Sequence, residues 1–357
     1  MKQLLLFLGL LLLWGCDPFD AIIEDDEETV VYYQAKNVTS DEAPDSTIRV
    51  ATWNIKFAGG RIDFFFDCFG DRSLMKEEEV LANMEGLAAK IRQMDPDIIF
   101  LQEADVEAKR SAYVDQVQWL LDHTDLNYGV YASQWKADYV PSDGIGRMNS
   151  GNAILSKYPL EDAERIALPL IDEQSGIVQY FYLRRNILKA SIKDAKDKTI
   201  VLLGTHTSAF AKDGTKEKQL EQIKAEIDVL AEKGTPFLLG GDFNSLPPQT
   251  AQWKDFPDDV CPKDSDFSTN DFSKEMEVML PFYDYTSLIP LDDYAADNSP
   301  YFSFTADKNG FWNRKLDYMF TNVMLTDGLV HQSKERGGME TMSRSDHAPL
   351  SGIFSGW

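Results

Sequence analysis

Four apolar runs in the chain each lead into a side chain that can bind a cation or move a proton. Val50-Ala51-Thr52-Trp53 leads to Asn54, and Ile98-Ile99-Phe100-Leu101-Gln102 leads to Glu103. Leu202-Leu203-Gly204-Thr205 leads to His206, and Leu238-Leu239-Gly240-Gly241 leads to Asp242, with Asn244 two residues on. Asp317 stands within Leu316-Asp317-Tyr318, and Ser345-Asp346-His347 sets an acid beside an imidazole. Carboxylate and amide oxygens suit hard cations, while imidazoles and carboxylates exchange protons in catalysis. Groups at the end of a strand stand on rigid backbone and still reach a shared cleft. Singly, each has a plainer explanation, because an acid after a strand commonly caps a helix or faces water. His123 and His331 fall outside the series and are expected on the surface or in the core.

The elements that must carry these groups are legible from periodicity. Strand-like runs occur at residues 48–55, 97–102, 152–156, 186–192, 200–204, 236–240, 316–320 and 348–354. Between them, Val80, Leu81, Met84, Leu87, Ala88 and Ile91 recur at helical spacing, as do Leu220, Ile223, Ile227 and Leu230. Strands therefore alternate with long helices. Residues 251–300 have weak periodicity and many turn formers, and are expected to be mostly loops.

Hydrophobic residues at 43% and aromatics at 12% describe a globular chain rather than a disordered or fibrous one. Asp plus Glu outnumber Lys plus Arg by 59 to 35, so the field around the protein is negative. Tight nonspecific binding of a nucleic-acid polyanion is disfavoured. A brief hydrolytic encounter, with a bound cation neutralising the phosphate locally, is compatible with that field.

Met1-Lys2 precedes an apolar run over residues 4–13 and then Trp14-Gly15-Cys16. The run is too short to span a bilayer and has the form of a secretory signal. A Cys directly after an apolar core and a small residue resembles the lipobox of bacterial lipoproteins. That resemblance implies a signal peptide over residues 1–15, lipidation of Cys16, and an exported protein anchored to a membrane in the periplasm or at the cell surface. Residues 16–47, with the acidic run Glu24-Asp25-Asp26-Glu27-Glu28, are expected to form a solvated tether, and residues 48–357 one domain. Cys68 and Cys261 are expected to be structural or incidental. No protein partner is inferred, and a monomer is expected.

Seven strings occur in order: Thr52-Trp53-Asn54-Ile55, Leu101-Gln102-Glu103, Gly151-Asn152-Ala153-Ile154-Leu155-Ser156, Thr205-His206, Gly240-Gly241-Asp242-Phe243-Asn244, Leu316-Asp317-Tyr318 and Ser345-Asp346-His347. Together they resemble the motifs of the endonuclease/exonuclease/phosphatase superfamily over about residues 48–354. The resemblance implies an α/β fold, a four-layer α-β-β-α sandwich of two packed mixed sheets, with one active site at the sheet edge. It implies that Glu103, assisted by Asn54 and with Asp346 nearby, binds Mg²⁺ or Mn²⁺. His347 is then oriented by Asp317, Asp242 and Asn244 position water and phosphate, and His206 donates to a phosphate oxygen or the leaving group. Asn152, Arg184 and Arg185 are candidate phosphate contacts. Neighbouring strand residues face opposite ways, so only one of the two arginines is expected in the cleft. Arg314 and Lys315 are expected to be substrate contacts or edge charges.

Two positions bear on the branch of the superfamily. Lys56 stands two residues after Asn54, where the abasic-site repair branch carries an acidic ligand, and His206 also sets the chain apart from that branch. The pattern looks more like the pancreatic-type deoxyribonucleases, bacterial sphingomyelinases and inositol phosphatases. Gln134, however, aligns where the pancreatic-type enzymes carry a catalytic Glu. The resulting expectation is a metal-dependent phosphoesterase, with an exported nuclease favoured. The alternatives are a phospholipid or sphingomyelin phosphodiesterase, an inositol-phosphate phosphatase, or a noncatalytic surface protein that binds phosphorylated ligands. Residues 64–69, rich in Phe, are expected to pack in the interior rather than insert into lipid.

Overall fold

Side chains alternate between two cores along each central strand, the period that a sheet buried on both faces requires. Ile48 and Val50 point into one hydrophobic layer and Ala51 and Trp53 into another. The computed structural model describes residue 23 and residues 28–39, 42–65, 70–140, 144–172, 174, 182–209, 213–256 and 273–357. The segment through Cys16, most of the acidic run, and Cys68 and Cys261 lie outside the described residues.

The strands are β1 (Val31–Gln34), β2 (Thr47–Asn54), β3 (Ile98–Asp105), β4 (Tyr128–Val140), β5 (Gly146–Ser156), β6 (Glu161–Ala167), β7 (Asn186–Lys193), β8 (Thr199–His206), β9 (Phe237–Asp242), β10 (Thr286–Ser287), β11 (Asp317–Thr321), β12 (Met324–Val330) and β13 (Leu350–Ser355). They form a seven-stranded sheet, β1-β4-β5-β3-β2-β13-β12, and a six-stranded sheet, β10-β11-β9-β8-β7-β6. Each sheet is mixed, with one parallel pair: β2 with β3, and β8 with β9. Helix α1 (Glu77–Met94) crosses over the first pair, and a helix at Thr215–Glu232 crosses over the second.

Ile48, Val50, Ile98, Phe100 and Ile154 of one sheet meet Leu188, Ile200, Leu202, Leu238 and Met319 of the other in the central core. The outer faces are covered by α1 and α2 (Gln116–His123) on one side, and by α3 (Thr215–Glu232) and α4 (Ser273–Met279) on the other. The result is the four-layer sandwich. Gly240 sits where the two sheets pack closely, since a Cβ there would lie 2.7 Å from Phe100 Cδ2.

Two expectations need correction. The domain does not begin at residue 48, because β1 lies within the segment expected to be tether and pairs antiparallel with β4, from Val31 opposite Tyr131 to Gln34 opposite Tyr128. Glu28 adds an ion pair to Lys136 at 2.9 Å. β1 is an edge strand whose Val31 and Tyr32 are exposed while Tyr33 packs on the outer core, so it carries no apolar alternation to betray it. Likewise the described part of residues 251–300 is not mostly loop: it holds α4, a 3-10 turn at Leu280–Asp284, β10 and α5 (Leu291–Ala296). Those helices are too short to show a clear period.

Candidate active site

The ends of both parallel pairs and the starts of two antiparallel strands meet at one edge of the sandwich. Asn54 ends β2, while His206 and Asp242 end β8 and β9 side by side in register. Asp317 opens β11 directly opposite Asp242. Asp346 and His347 lie just before β13, whose Leu350 pairs with Thr52. Glu103 is not at the end of its strand. It occupies a bulge in β3 against β5, between Leu101 and Ala104, with φ +57°, a left-handed conformation that turns its side chain out of the ladder.

Asn54 ties the two sheets together at this edge: its Nδ2 donates to Glu103 Oε1 and to Asp242 Oδ2, both at 3.0 Å. His347 Nδ1 donates to Asp317 Oδ2 at 2.8 Å, which leaves Nε2 facing Asp242 Oδ2 at 3.5 Å. Ser303 Oγ donates to the same Asp317 oxygen at 2.6 Å, and Trp53 Nε1 donates to the His347 carbonyl at 2.9 Å. Asp242 Oδ1 accepts from the Asn244 N–H at 2.9 Å. Asn244 itself sits at φ +46°, fixed by its Nδ2 on the Thr207 carbonyl at 3.0 Å and by Lys216 Nζ on its own carbonyl at 2.6 Å.

Burial sets the protonation of this group. It pushes the Asp242 carboxyl up to about 7, with Asp317 adding to the rise and His347 and Asn54 opposing it. Burial would lower His347, but Asp317 and Asp242 outweigh it and raise the imidazole to about 10. His206 is held well below its ordinary value by burial, with Arg185 and His347 as neighbouring cations. Near neutral pH the edge therefore carries an imidazolium at His347, a neutral imidazole at His206, and between them a carboxyl close to its midpoint.

Lys56 reaches this group through an unusual turn. Lys56, Phe57 and Ala58 all have φ between +44° and +54°, a left-handed run that costs roughly 1–2 kcal/mol per residue. It is held by Gln116 Nε2 on the Phe57 carbonyl and Asn83 Nδ2 on the Ala58 carbonyl, both at 2.8 Å, and by Arg110 stacked 3.8 Å over the Phe57 ring. The turn delivers Lys56 Nζ to 3.2 Å from Asp346 Oδ2. Although burial opposes it, Lys56 holds the Asp346 carboxyl below its usual range. Asp346 thus carries a countercharge from the protein itself.

Of the three residues expected at the ion, Asn54 has its Oδ1 engaged by the Lys56 N–H at 3.0 Å and acts as a connector. Glu103 is half-buried and makes no ion pair among the described residues, so its carboxylate offers the hard oxygen donors that suit a cation of the magnesium type. Asp242, Asp317 and His347 form a second group that could hold a metal, with ligand atoms within 4.8 Å of one another.

The candidate phosphate contacts separate. Asn152 is fully buried, accepting from Gln134 Nε2 at 3.2 Å and donating to Asn186 Oδ1 at 3.2 Å, so it supports Gln134. Arg185 is buried with its Nη1 on Gln134 Oε1 at 3.0 Å, while Arg184 is half-buried and held by its backbone N–H on the Gln134 carbonyl at 2.6 Å. Arg314 and Lys315 are buried, not exposed edge charges. Arg314 is buried over the Phe256 and Phe304 rings, and Lys315 over Tyr318. His123 is exposed and stacked on Trp119, and His331 is buried between Lys90 Nζ and Ser351 Oγ. Phe64 of the aromatic segment packs on Phe57, with ring centroids 4.9 Å apart; Phe66 and Phe69 lie outside the described residues. Ser303 and Lys216 carried no signal in the sequence, since neither belongs to a motif.

Two facing mixed sheets, with acid, amide and imidazole groups gathered at one shared edge, define a class of four-layer catalytic sandwich. Residues 51–347 match the Endonuclease/Exonuclease/phosphatase family, and the chain belongs to that family. Among solved structures, it is similar to an endonuclease/exonuclease/phosphatase from Beutenbergia cavernae DSM 12333 (TM-score 0.55, 18% identity, 87% of this chain and 72% of that one). It is also similar to the human Nocturnin catalytic domain with bound sulfate anion (TM-score 0.54, 17% identity, 93% and 98% covered). A third is a mannosyl-6-phosphatase of Bacteroides thetaiotaomicron VPI-5482 (TM-score 0.50, 12% identity, 87% and 100% covered). At these identities the likeness is one of fold. No curated protein matches the chain.

Proposed function

We propose that this protein is a phosphoesterase, dependent on Mg²⁺ or Mn²⁺, that hydrolyses phosphodiester bonds, with nucleic acid the favoured substrate. The observation that carries the reading is the buried line Asp317, His347, Asp242 beside the Asn54–Glu103 pair. Asp242, with its carboxyl pushed up to about 7, is suited to take a proton from an attacking water near neutral pH. His347, kept protonated and aimed by Asp317, stabilises charge growing on the phosphate or protonates the leaving oxygen. Asn54 fixes Glu103 and Asp242 relative to each other. A divalent cation bound at Glu103 would supply a Lewis acid for the phosphate oxygens.

The test is a panel of single- and double-stranded DNA, RNA, sphingomyelin, inositol phosphates, sugar phosphates and bis-nitrophenyl phosphate. The expected result is diester hydrolysis that falls at least about tenfold in chelator and returns with Mg²⁺ or Mn²⁺. Full activity after exhaustive chelation would remove the cation from the reading. Turnover confined to monoesters would move the protein to the phosphatases.

The same proposal includes export and anchoring through Cys16, supported by the apolar run ending in Gly15-Cys16. Mass spectrometry of the protein from its native host should find an acylated Cys16 at the mature N-terminus. An unacylated N-terminus elsewhere would refute it. No helix among the described residues is long and apolar enough to cross a membrane.

A further inference from the structure

Arg185 is an oddity among buried charges. It is only 6% exposed, its Nε has no hydrogen-bond partner among the described residues, and the side chain bonded to its Nη1 is the neutral amide of Gln134. A buried guanidinium is ordinarily paired with a carboxylate, because an unpaired one loses hydration without compensation. Gln134 is placed for this contact by the backbone: it is the extra residue of a bulge in β4, between Ser133 opposite Gly151 and Trp135 opposite Ser150. The Arg184 N–H clamps its carbonyl.

The contact also decides the chemistry on the far side of the amide. Guanidinium only donates, so Gln134 must turn Oε1 to Arg185, and its Nε2 then faces Asn152 Oδ1 at 3.2 Å and His206 Nδ1 at 3.4 Å. An amide N–H facing Nδ1 requires that nitrogen to accept, and a neutral His206 then carries its proton on Nε2, which lies 3.4 Å from Asp242 Oδ2.

We infer that Gln134 is a positioning and specificity-determining residue: an uncharged clamp that fixes Arg185 without neutralising it, so that its charge is kept for a phosphate oxyanion of the substrate, and that holds the His206 proton on Nε2. The inference rests on the phosphoesterase reading and deepens it. A carboxylate at 134 would satisfy Arg185 from within and would accept a proton from His206 Nδ1. The clamp therefore has to be an amide.

The experiment compares Gln134→Glu with Gln134→Met in the full chain. Glu keeps the length and the acceptor for Arg185, whereas Met keeps the length and neutrality without the hydrogen bonds. If Gln134 serves only as packing and hydrogen-bond support, Met should be the more damaging change. The inference predicts the opposite order for anion binding. Gln134→Glu should weaken inorganic phosphate binding, measured by calorimetry, by about tenfold or more and raise KM more than it lowers kcat, with Gln134→Met milder on both. Imidazole ¹⁵N spectra, simple to assign with four histidines in the chain, should show His206 protonated at Nε2 in the wild type and at Nδ1 in Gln134→Glu. Equal phosphate affinity in Gln134→Glu and the wild type, or an unmoved His206 proton, would overturn the inference. Because the spectra need no substrate, a failure of the wild type to hydrolyse any phosphoester would count against the proposed reaction and not against the clamp.

Discussion

Replacing His347 with alanine is expected to lower kcat by about a thousandfold, within the range for loss of a general acid or base, with little change in KM. The imidazole is buried, its Nδ1 is committed to Asp317 at 2.8 Å, and only Nε2 remains for the reaction. Asp317→Asn should reproduce most of this loss. An amide in that place can present its N–H to Nδ1 and hold the ring in the wrong tautomer, and it removes the charge that keeps the imidazolium. Since the two residues act through one proton, the double variant should be no worse than the more damaging single one. His123→Ala is the control, because that ring is exposed and rests on Trp119 away from the motifs. Additive losses for Asp317 and His347 would show that they do not act as a pair and would leave His206 as the principal proton-transfer candidate.

Asp242→Asn is expected to cost a similar factor, about a thousandfold in kcat. The asparagine can still accept from the Asn244 N–H, so a large loss would report the missing base and not a collapsed turn. The pH dependence gives a second reading. A base works only when deprotonated, so wild-type activity should fall as pH drops through about 7, where burial holds the Asp242 carboxyl. It should persist upward until His347 loses its proton near 10. Asp242 and His347 face each other at 3.5 Å, so the two limbs belong to the pair, and the acid limb should vanish in Asp242→Asn. A variant that kept both its rate and its acid limb would assign the base elsewhere.

The sequence by itself determined the secondary-structure scaffold around the motifs and which chemical groups meet at the edge. The alternation at residues 48–55, the continuous apolar run at 200–204, and the helical stripes at 80–91 and 220–230 are local properties of the chain, and the elements form where those patterns lie. Asn54, His206 and Asp242 were legible because each closes an apolar run that becomes a parallel strand. The tertiary structure alone decided how those groups are wired. The turn that brings Lys56 to Asp346 is left-handed against local preference and survives only because Gln116, Asn83 and Arg110, remote in sequence, hold it. The bulges at Glu103 and Gln134 depend on the register of β3 and β4 with β5, which is set by neighbouring strands and not by their own residues. β1 shows the same limit, since a four-residue edge strand with mostly exposed side chains takes its place from its partner's backbone and shows no apolar alternation. Ser303 on Asp317, and Trp53 on a His347 carbonyl 294 residues away, exist only once the sheets have closed on each other.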